Sequence, residues 1–270
     1  MRIVLSRHYI RALVVALTWV AAAQALGGEL QITVTNNQPA GGFAISPVWI
    51  GLHDGTFKTF DPGAQASAAI QAVAELADTS KITASFAGHG AQTTVGGMPY
   101  VPGASVTSTL NVADPTTERY LSYAAMVVPS NDFFVGNSDP TAFQLFDASG
   151  HFLGPRTIQI FGANVWDAGT EVNNIAFGAA FIVGDNITDH VDENGTIMMV
   201  FGGATDFSGY LGSINGKPTP GGYDISHLIS SGDLIATIQI NSVPEPSAAI
   251  LLGLGLSGAL IAARGRKPRA

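Results

Sequence analysis

Strict alternation of apolar and polar side chains marks Leu30-Gln31-Ile32-Thr33-Val34-Thr35, and the pattern returns in Ala236-Thr237-Ile238-Gln239-Ile240. A period of two residues is typical of a strand with one buried face. Tyr120 to Val128 and Ile197 to Phe201 are more continuously apolar, as expected of strands buried on both faces. The sequence therefore predicts a body that begins and ends in strands.

Turn-forming residue pairs recur between these stretches. They are Asn36-Asn37, Asp54-Gly55, Pro62-Gly63, Pro102-Gly103, Asn194-Gly195 and Gly221-Gly222. Short strands separated by frequent turns predict an all-β fold, an antiparallel β-sandwich. Residues 64–77 depart from this pattern, since they are rich in alanine and place Ile70, Val73 and Leu76 close to helical spacing. They predict one short surface helix.

The start of the chain has the pattern of a secretory signal peptide. Three arginines precede an apolar stretch over residues 12–22, and Ala23-Gln24-Ala25 has the small-x-small form of a cleavage site. We therefore expect residues 1–25 to be removed, with Ala23 and Ala25 as the two small residues just before the cleavage position. A permanent membrane helix is the alternative, for which the apolar stretch is short.

The end of the chain combines Pro244-Glu245-Pro246, an apolar run over residues 247–263 and a basic terminus over residues 264–269. The prolines interrupt regular structure, the apolar run is at the short limit for a transmembrane helix, and basic residues favour the cytoplasmic side. A buried core helix is the weaker alternative, because the run lacks a polar face. The sequence thus divides into residues 1–25, a folded domain over 26–243 and a membrane segment over 244–270.

This C-terminal order resembles the PEP-CTERM sorting tail of Gram-negative bacteria. The resemblance implies recognition by an exosortase-type transpeptidase, which would cut near Pro244, Glu245 and Pro246. It also implies export through the inner membrane, transient contact with that membrane through the C-terminal helix, and delivery to the cell surface or the extracellular space.

The charge of the predicted domain narrows the class of partner. Of 12 basic and 20 acidic residues, seven basic and one acidic lie in the two end segments, which leaves five basic against 19 acidic and a net charge of −14. Such a surface repels nucleic acid and anionic lipid, so we expect no nucleic-acid partner. The chain has no cysteine, which excludes disulfides, thiolate nucleophiles and cysteine-ligated zinc.

Two acidic segments are candidates for a binding site. Residues 128–137 carry Asp132 after a predicted buried strand, and residues 166–174 carry Asp167 and Glu171 around a glycine turn. Carboxylates on loops at one end of a sandwich suit calcium, which takes six to eight oxygen ligands. Spacing alone does not distinguish such a site from ordinary solvated turns.

The order of motifs along the body resembles the spondin N-terminal domain of F-spondin, mindin and many bacterial exported proteins. The residues that carry the likeness are His53-Asp54-Gly55-Thr56-Phe57, Phe60-Asp61, Ala66-Ser67, Ala74-Glu75-Leu76-Ala77, Pro102-Gly103, Ser122-Tyr123-Ala124, Met126 to Gly136 and Asp167-Ala168-Gly169-Thr170-Glu171. The resemblance implies a C2-like antiparallel β-sandwich with a divalent cation, Ca²⁺, at one end. By position it assigns the cation to Asp132, Asp167 and Glu171, with Glu171 in place of the usual Asp. A further upstream acidic ligand has no clear counterpart, and Asp114 and Glu118 are candidates by proximity alone.

The remaining polar clusters give weaker indications. Residues 185–195 are rich in ligand-type side chains without the order of an EF-hand, so we expect a solvated hairpin loop, with a weak second cation site as the alternative. The chain has neither a His-Glu-x-x-His pair nor a Gly-x-Ser-x-Gly motif. With no such motif, and from what the resemblance to the spondin domain implies, we expect a non-catalytic calcium-binding protein of the cell surface or matrix. It would function in adhesion or exopolysaccharide association or bind cell-surface proteins. A secreted hydrolase of extracellular polymer is the alternative, and a purely structural envelope protein is a third possibility.

Overall fold

A computed structural model describes residues 28–243. The predicted signal peptide over residues 1–25, with Ala23 and Ala25, lies outside the described residues. So does the predicted sorting segment over residues 244–270, with Pro244, Glu245 and Pro246. None of the helices between residues 28 and 243 has the length and apolar character needed to cross a membrane.

Two antiparallel sheets dominate the described body. Their strands are β1 (Gly28–Asn36), β2 (Ala44–Ile45), β3 (Val48–His53), β4 (Gln92–Val95), β5 (Ser105–Val112), β6 (Tyr120–Val128), β7 (Phe133–Gly136), β8 (Arg156–Phe161), β9 (Val165–Asp167), β10 (Met198–Met199) and β11 (Leu234–Ser242). The first sheet has the order β5-β1-β11-β8, and the second has the order β10-β9-β7-β6-β3-β4, with β2 paired to the end of β6. All of these pairs are antiparallel.

The main core lies between the two sheets. Alternate residues of β1 and β11, such as Ile32 and Ile238, meet inward-facing residues of β6 and β7, such as Tyr123 and Phe133. The apolar residues of the alternating pattern in β1 and β11 are therefore the buried ones, and the polar residues between them are less buried. The mostly β composition and the two packed sheets agree with the predicted sandwich, while its likeness to C2 domains stays a prediction.

A second apolar layer covers the outer face of the second sheet. Three α-helices are present in the described range: α1 (Ala68–Leu76), α2 (Ser80–Ser85) and α3 (Ser208–Ile214). Ile70 and Val73 of α1 and Ile82 of α2 pack in one buried cluster with Ala124 of β6. The prediction that β6 is buried on both faces is confirmed, because every residue from Leu121 to Val128 is buried.

The prediction of one short surface helix is wrong in number and in setting. The helix begins at Ala68 rather than at residue 64, because the Ser67 hydroxyl accepts a hydrogen bond from the Ile70 N–H at 3.3 Å and caps the first turn. Its apolar face is buried against the sheet, so it forms part of the core. The prediction of a strand buried on both faces at Ile197 to Phe201 is wrong in length and in burial, because the strand spans only Met198–Met199 and Met199 is exposed.

The two ends of the sandwich are distinct. Gly28 of β1 is opposite Val112 of β5, and Ser242 of β11 is opposite Leu30, so the described chain enters and leaves at one end. At the other end, the Asn36 amide donates a hydrogen bond to the Phe43 carbonyl at 2.9 Å, next to the pairing of β2 with the last residues of β6. The β6–β7 turn lies at this second end.

Candidate metal centre

Asp132 lies at the end of the tight β6–β7 turn. The turn is fixed by Ser130, whose buried hydroxyl donates to the Val127 carbonyl at 2.6 Å and accepts from the Phe133 N–H at 3.0 Å. Asp132 is fully buried, and its Oδ2 accepts hydrogen bonds from the N–H groups of Thr170 at 2.7 Å and Glu171 at 3.1 Å. The two acidic segments predicted from the sequence are therefore joined directly.

Asp167 ends β9 and starts the loop that carries Glu171. Its Oδ1 accepts from the Gly169 N–H at 2.8 Å, and its Oδ2 accepts from the Asn173 side-chain amide at 2.6 Å. Gly169 has φ +67°, and a Cβ there would lie 2.8 Å from the backbone nitrogen and oxygen of Thr196. Glycine is thus needed for this turn, which returns the chain to Asp132.

The three predicted carboxylates are all buried, and we call Asp132, Asp167 and Glu171 the carboxylate centre. Burial, followed by the charge of Asp167, raises the pKa of Asp132 from 3.8 to about 8. Burial also raises the pKa of Asp167 to about 6 and that of Glu171 to about 7. In all three cases the main cause is that a carboxylate loses its hydration inside the protein.

The carboxylate centre contains oxygen atoms without partners. Among the described residues, no hydrogen-bond donor reaches Asp132 Oδ1, Glu171 Oε2 or Asn173 Oδ1. No lysine or arginine within residues 28–243 forms an ion pair with these carboxylates. Buried acceptor oxygens without a donor fit the oxygen-only ligand set of a hard cation such as calcium. As they stand, however, no three His, Asp or Glu side chains in the described part of the chain form a group that could hold a metal ion.

One acidic residue of this region was missed in the sequence. Glu75, in the last turn of α1, is 7 % exposed, and its Oε1 has no hydrogen-bond partner among the described residues. After burial, its charge is the next cause that raises the pKa of Glu171. The available signal was a single charged residue in the otherwise apolar turn Ala72 to Leu76.

The two upstream candidates lie elsewhere. Asp114 and Glu118 belong to the turn that joins β5 to β6, where the Asp114 N–H donates to Glu118 Oε2 at 3.4 Å. That turn is at the opposite end of β6 from Asp132. The prediction by proximity that they complete the site is therefore wrong.

Residues 185–195 are mostly exposed, as predicted, with one short 3-10 turn at Ile187–Asp189. Asp185 accepts hydrogen bonds from the N–H groups of Gly178 at 3.2 Å and Ala179 at 2.9 Å, so it fixes the loop. His190 lies on the centre, with Nδ1 3.4 Å from Glu171 Oε1. The acidic loop thus contributes one histidine contact to the centre.

The aromatic pair beside Asp132 is not available at the surface. Phe133 faces the core between the sheets and Phe134 faces the layer under the helices, and both are fully buried. An apolar contact to a partner at this end would have to come from other residues.

Comparisons with known protein families agree with the motifs. Residues 36–181 match Spondin_N, which is more than half of the 270 residues, and residues 242–267 match the PEP-CTERM protein-sorting motif. The first match includes the carboxylate centre and Glu75 and ends before His190. The second marks an exported protein that an exosortase recognises and sorts to the cell surface in Gram-negative bacteria. No curated protein matches the chain.

Proposed function

The chain belongs to the Spondin_N family, and on that premise we propose that it is a non-catalytic adhesion module whose carboxylate centre binds calcium at the cell surface. The observation that supports this proposal best is the set of buried carboxylate oxygens without a donor or a cationic partner among the described residues. Three such groups repel one another when ionised, and desolvation adds to the cost. A divalent cation would remove both penalties.

Asp132, Asp167 and Glu171 would hold the ion, with Asn173 as a neutral oxygen donor. Calcium, when bound, would supply the positive charge that keeps these carboxylates ionised. The residues themselves join two parts of the chain, because Asp132 comes from the β6–β7 turn and accepts from the backbone of the loop that carries Glu171. Ordering of this end would fix the surrounding loops, and those loops are the surface that we assign to adhesion.

The partner that we propose is extracellular exopolysaccharide or another cell-surface protein. The sorting motif places the protein where such material is found, and the acidic body disfavours anionic polymers such as nucleic acid. A role in catalysis is not part of the proposal. Ser130, the hydroxyl nearest to Asp132 in sequence, is buried and already engaged in two hydrogen bonds.

A thermal melt of the purified full chain in chelator, in calcium and in magnesium tests the proposal. We expect a rise of several degrees with calcium alone, because an ion that binds only the folded state stabilises it by mass action. Retention on extracellular matrix material from the source bacterium should be lost in chelator along with the stabilisation. The matched control is Asp139→Asn, an exposed aspartate remote from the centre whose Oδ1 accepts from the Thr141 N–H at 2.8 Å.

The same samples separate adhesion from hydrolysis. Asp132→Asn and Asp167→Asn should abolish the calcium response and the retention together. Loss of turnover of an extracellular polymer, with an unchanged melting temperature, would instead support a secreted hydrolase. Absence of any calcium response in the unaltered chain would refute the proposed function.

A further inference from the structure

The outer face of the first sheet is built from uncharged polar side chains. Residues directly opposite one another on neighbouring strands share a face of the sheet, so the register arranges the outward side chains in rows. Two rows cross all four strands and a third crosses three of them. They are Thr107-Thr33-Gln239-Thr157, Ser105-Thr35-Thr237-Gln159 and Thr109-Gln31-Asn241. We call these eleven residues the hydroxyl-amide face.

This face is open to solvent. Each of its side chains is exposed or partly exposed, whereas alternate residues of the same strands, such as Ile32 and Ile238, lie in the core between the sheets. The helices α1 and α2 pack on the other sheet, where Ile70 and Ile82 join one cluster with Ala124 of β6. The described part of the chain therefore leaves the hydroxyl-amide face free for a partner.

Hydrogen bonds across the strands fix the hydroxyl groups. Thr33 Oγ1 lies 2.8 Å from Thr107 Oγ1. In the next row, Thr35 Oγ1 lies 2.9 Å from Ser105 Oγ. Each hydroxyl can donate once and accept twice, so both pairs keep capacity for a further partner. With strands about 4.8 Å apart and successive rows about 6.6 Å apart, the face offers ordered donors and acceptors over an area of about 14 Å by about 13 Å.

The absence of charge on these eleven residues narrows the class of partner. The body over residues 26–243 has a net charge of −14, and the first outward carboxylate of β1 is Glu29, in the row nearest to the termini. Edge strands are commonly protected by charged side chains, yet the edge strand β5 has none over Ser105–Val112. The acidic body repels anionic polymers, and a cationic polymer would bind to the carboxylates elsewhere. The complementary partner of this face is therefore uncharged.

An apolar pair lies at one end of the face. Phe161, two residues after Gln159 on β8, is 37 % exposed and is opposite Leu234 of β11. An exposed aromatic ring can stack on the C–H face of a sugar ring. Protein–protein interfaces instead have an aromatic and apolar centre in which serine is depleted. Here the centre is hydroxyl and amide, and the aromatic ring is at the margin.

We propose that the hydroxyl-amide face binds an uncharged polysaccharide, with Phe161 stacked on one sugar ring. Sugar hydroxyls both donate and accept hydrogen bonds, as do the threonine, glutamine and asparagine side chains of the face. The face belongs to the first sheet, whereas Asp132 and Asp167 border strands of the second. Binding here needs no calcium, so this inference does not rest on the proposed function.

The test is affinity electrophoresis of the purified full chain in chelator. The gels contain dextran, galactomannan, a soluble β-glucan or the uncharged fraction of exopolysaccharide from the source bacterium, and alginate serves as the anionic comparison. We expect at least one uncharged polymer to retard the protein and alginate to have no effect. Affinity should fall at least fivefold in the double variant Thr33→Val/Thr107→Val and in Phe161→Ala.

The design of the variants separates binding from folding. Valine keeps the β-branched shape of threonine, and changing both members of the pair leaves no hydroxyl without its partner. The control is Thr83→Val, an exposed threonine of α2, which should bind like the unaltered chain. A thermal melt in chelator verifies that each variant is folded.

Each outcome supports or overturns the proposal. Failure of every uncharged polymer to retard the protein overturns it, as does affinity that is unchanged in both the double variant and Phe161→Ala. A dimer in sedimentation that the double variant abolishes, without polysaccharide binding, also overturns it. Retardation that needs calcium, is lost in Asp132→Asn and persists in the double variant overturns the face and leaves the proposed function standing. Binding in chelator that needs Thr33 and Thr107, in a chain without a calcium response, supports the face and refutes the proposed function.

Discussion

Replacing Asp132 by Asn removes the most deeply buried carboxylate of the centre and keeps the shape of the side chain. The Asn oxygen can still accept from the N–H groups of Thr170 and Glu171, which now donate to Asp132 Oδ2. The new amide would take the place of Asp132 Oδ1, the oxygen without a donor in the described structure. The substitution therefore removes charge without removing the local hydrogen bonds.

The expected size follows from proton linkage. Burial raises the pKa of Asp132 from 3.8 to about 8, so without metal the folded protein holds a proton that the unfolded chain releases above pH 4. A raised acid pKa contributes stability that is full below pH 3.8 and is lost as the pH rises toward 8. At about 1.36 kcal/mol per pH unit, the metal-free protein loses up to about 4 kcal/mol by pH 7, and Asp132→Asn does not.

The assay is a thermal melt at pH 5 and at pH 7, in chelator and in calcium. At pH 7 in chelator the variant should melt higher than the unaltered chain by up to about 8–16 °C, at roughly 2–4 °C per kcal/mol for a domain of this size. The difference should shrink at pH 5. In calcium the order should reverse, since only the unaltered chain gains stability from the ion.

A variant that melts lower than the unaltered chain in chelator at pH 7 would refute this reasoning. That result would mean that Asp132 is stabilised by contacts within the protein and needs no cation. A variant with an undiminished calcium response would refute the assignment of Asp132 as a ligand, whatever its stability. Asp139→Asn should match the unaltered chain under all conditions.

Three further predictions concern the centre, its turn and the opposite end of the sandwich. Calcium affinity, measured by calorimetry, should rise between pH 6 and pH 8 as the centre, with pKa values of about 6 to 8, loses its protons; a pH-independent affinity would contradict the pKa shifts. Gly169→Ala should destabilise the protein by about 2–4 kcal/mol in urea unfolding, because of φ +67° and the contact with Thr196. Gly63→Ala, with φ +80° and open space around a Cβ, should cost only about 1 kcal/mol, and equal costs would show that the contact is unimportant. Burial lowers the pKa of His53 to about 4, so the contribution of His53 to stability should fall as the pH drops from 6.5 toward 4, opposite in sign to that of the carboxylate centre. The stability of His53→Asn relative to the unaltered chain should therefore rise over this range, and a constant difference would exclude the titration of His53.

The strands were largely predictable because the pattern that identifies a strand is formed by residues close together in the sequence. The alternation in β1 and β11 and the apolar run of β6 correspond to one-sided and two-sided burial. The order of strands in each sheet was not predictable, because it depends on contacts between segments far apart in the chain. For the same reason α1 was expected at the surface, although the second sheet buries its apolar face.

The candidate site, like the fold, was predictable only in part. Asp132, Asp167 and Glu171 came from a family resemblance, and the structure places them on connected loops, although their role as ligands stays a prediction. Glu75 gave only a weak local signal, its single charge in an apolar turn, because a glutamate in a helix is usually exposed and only the packing of α1 buries it. The sequence did not single out His190, because it belongs to an acidic loop whose other residues mostly face solvent or fix the loop itself.

Both ends of the described chain leave the sandwich at the same end, which sets how the domain is oriented relative to its two termini. Gly28 and Ser242 leave the sandwich together, while the β6–β7 turn with Asp132 lies at the far end, about 30 Å away along the nine residues of β6. The match to the sorting motif begins at residue 242, where β11 ends. Cuts at the two sites expected from the sequence, near residue 26 and near Pro244, would both fall at this pole, and a protein held by its C-terminus would present the opposite pole, with its carboxylates, outward from the cell.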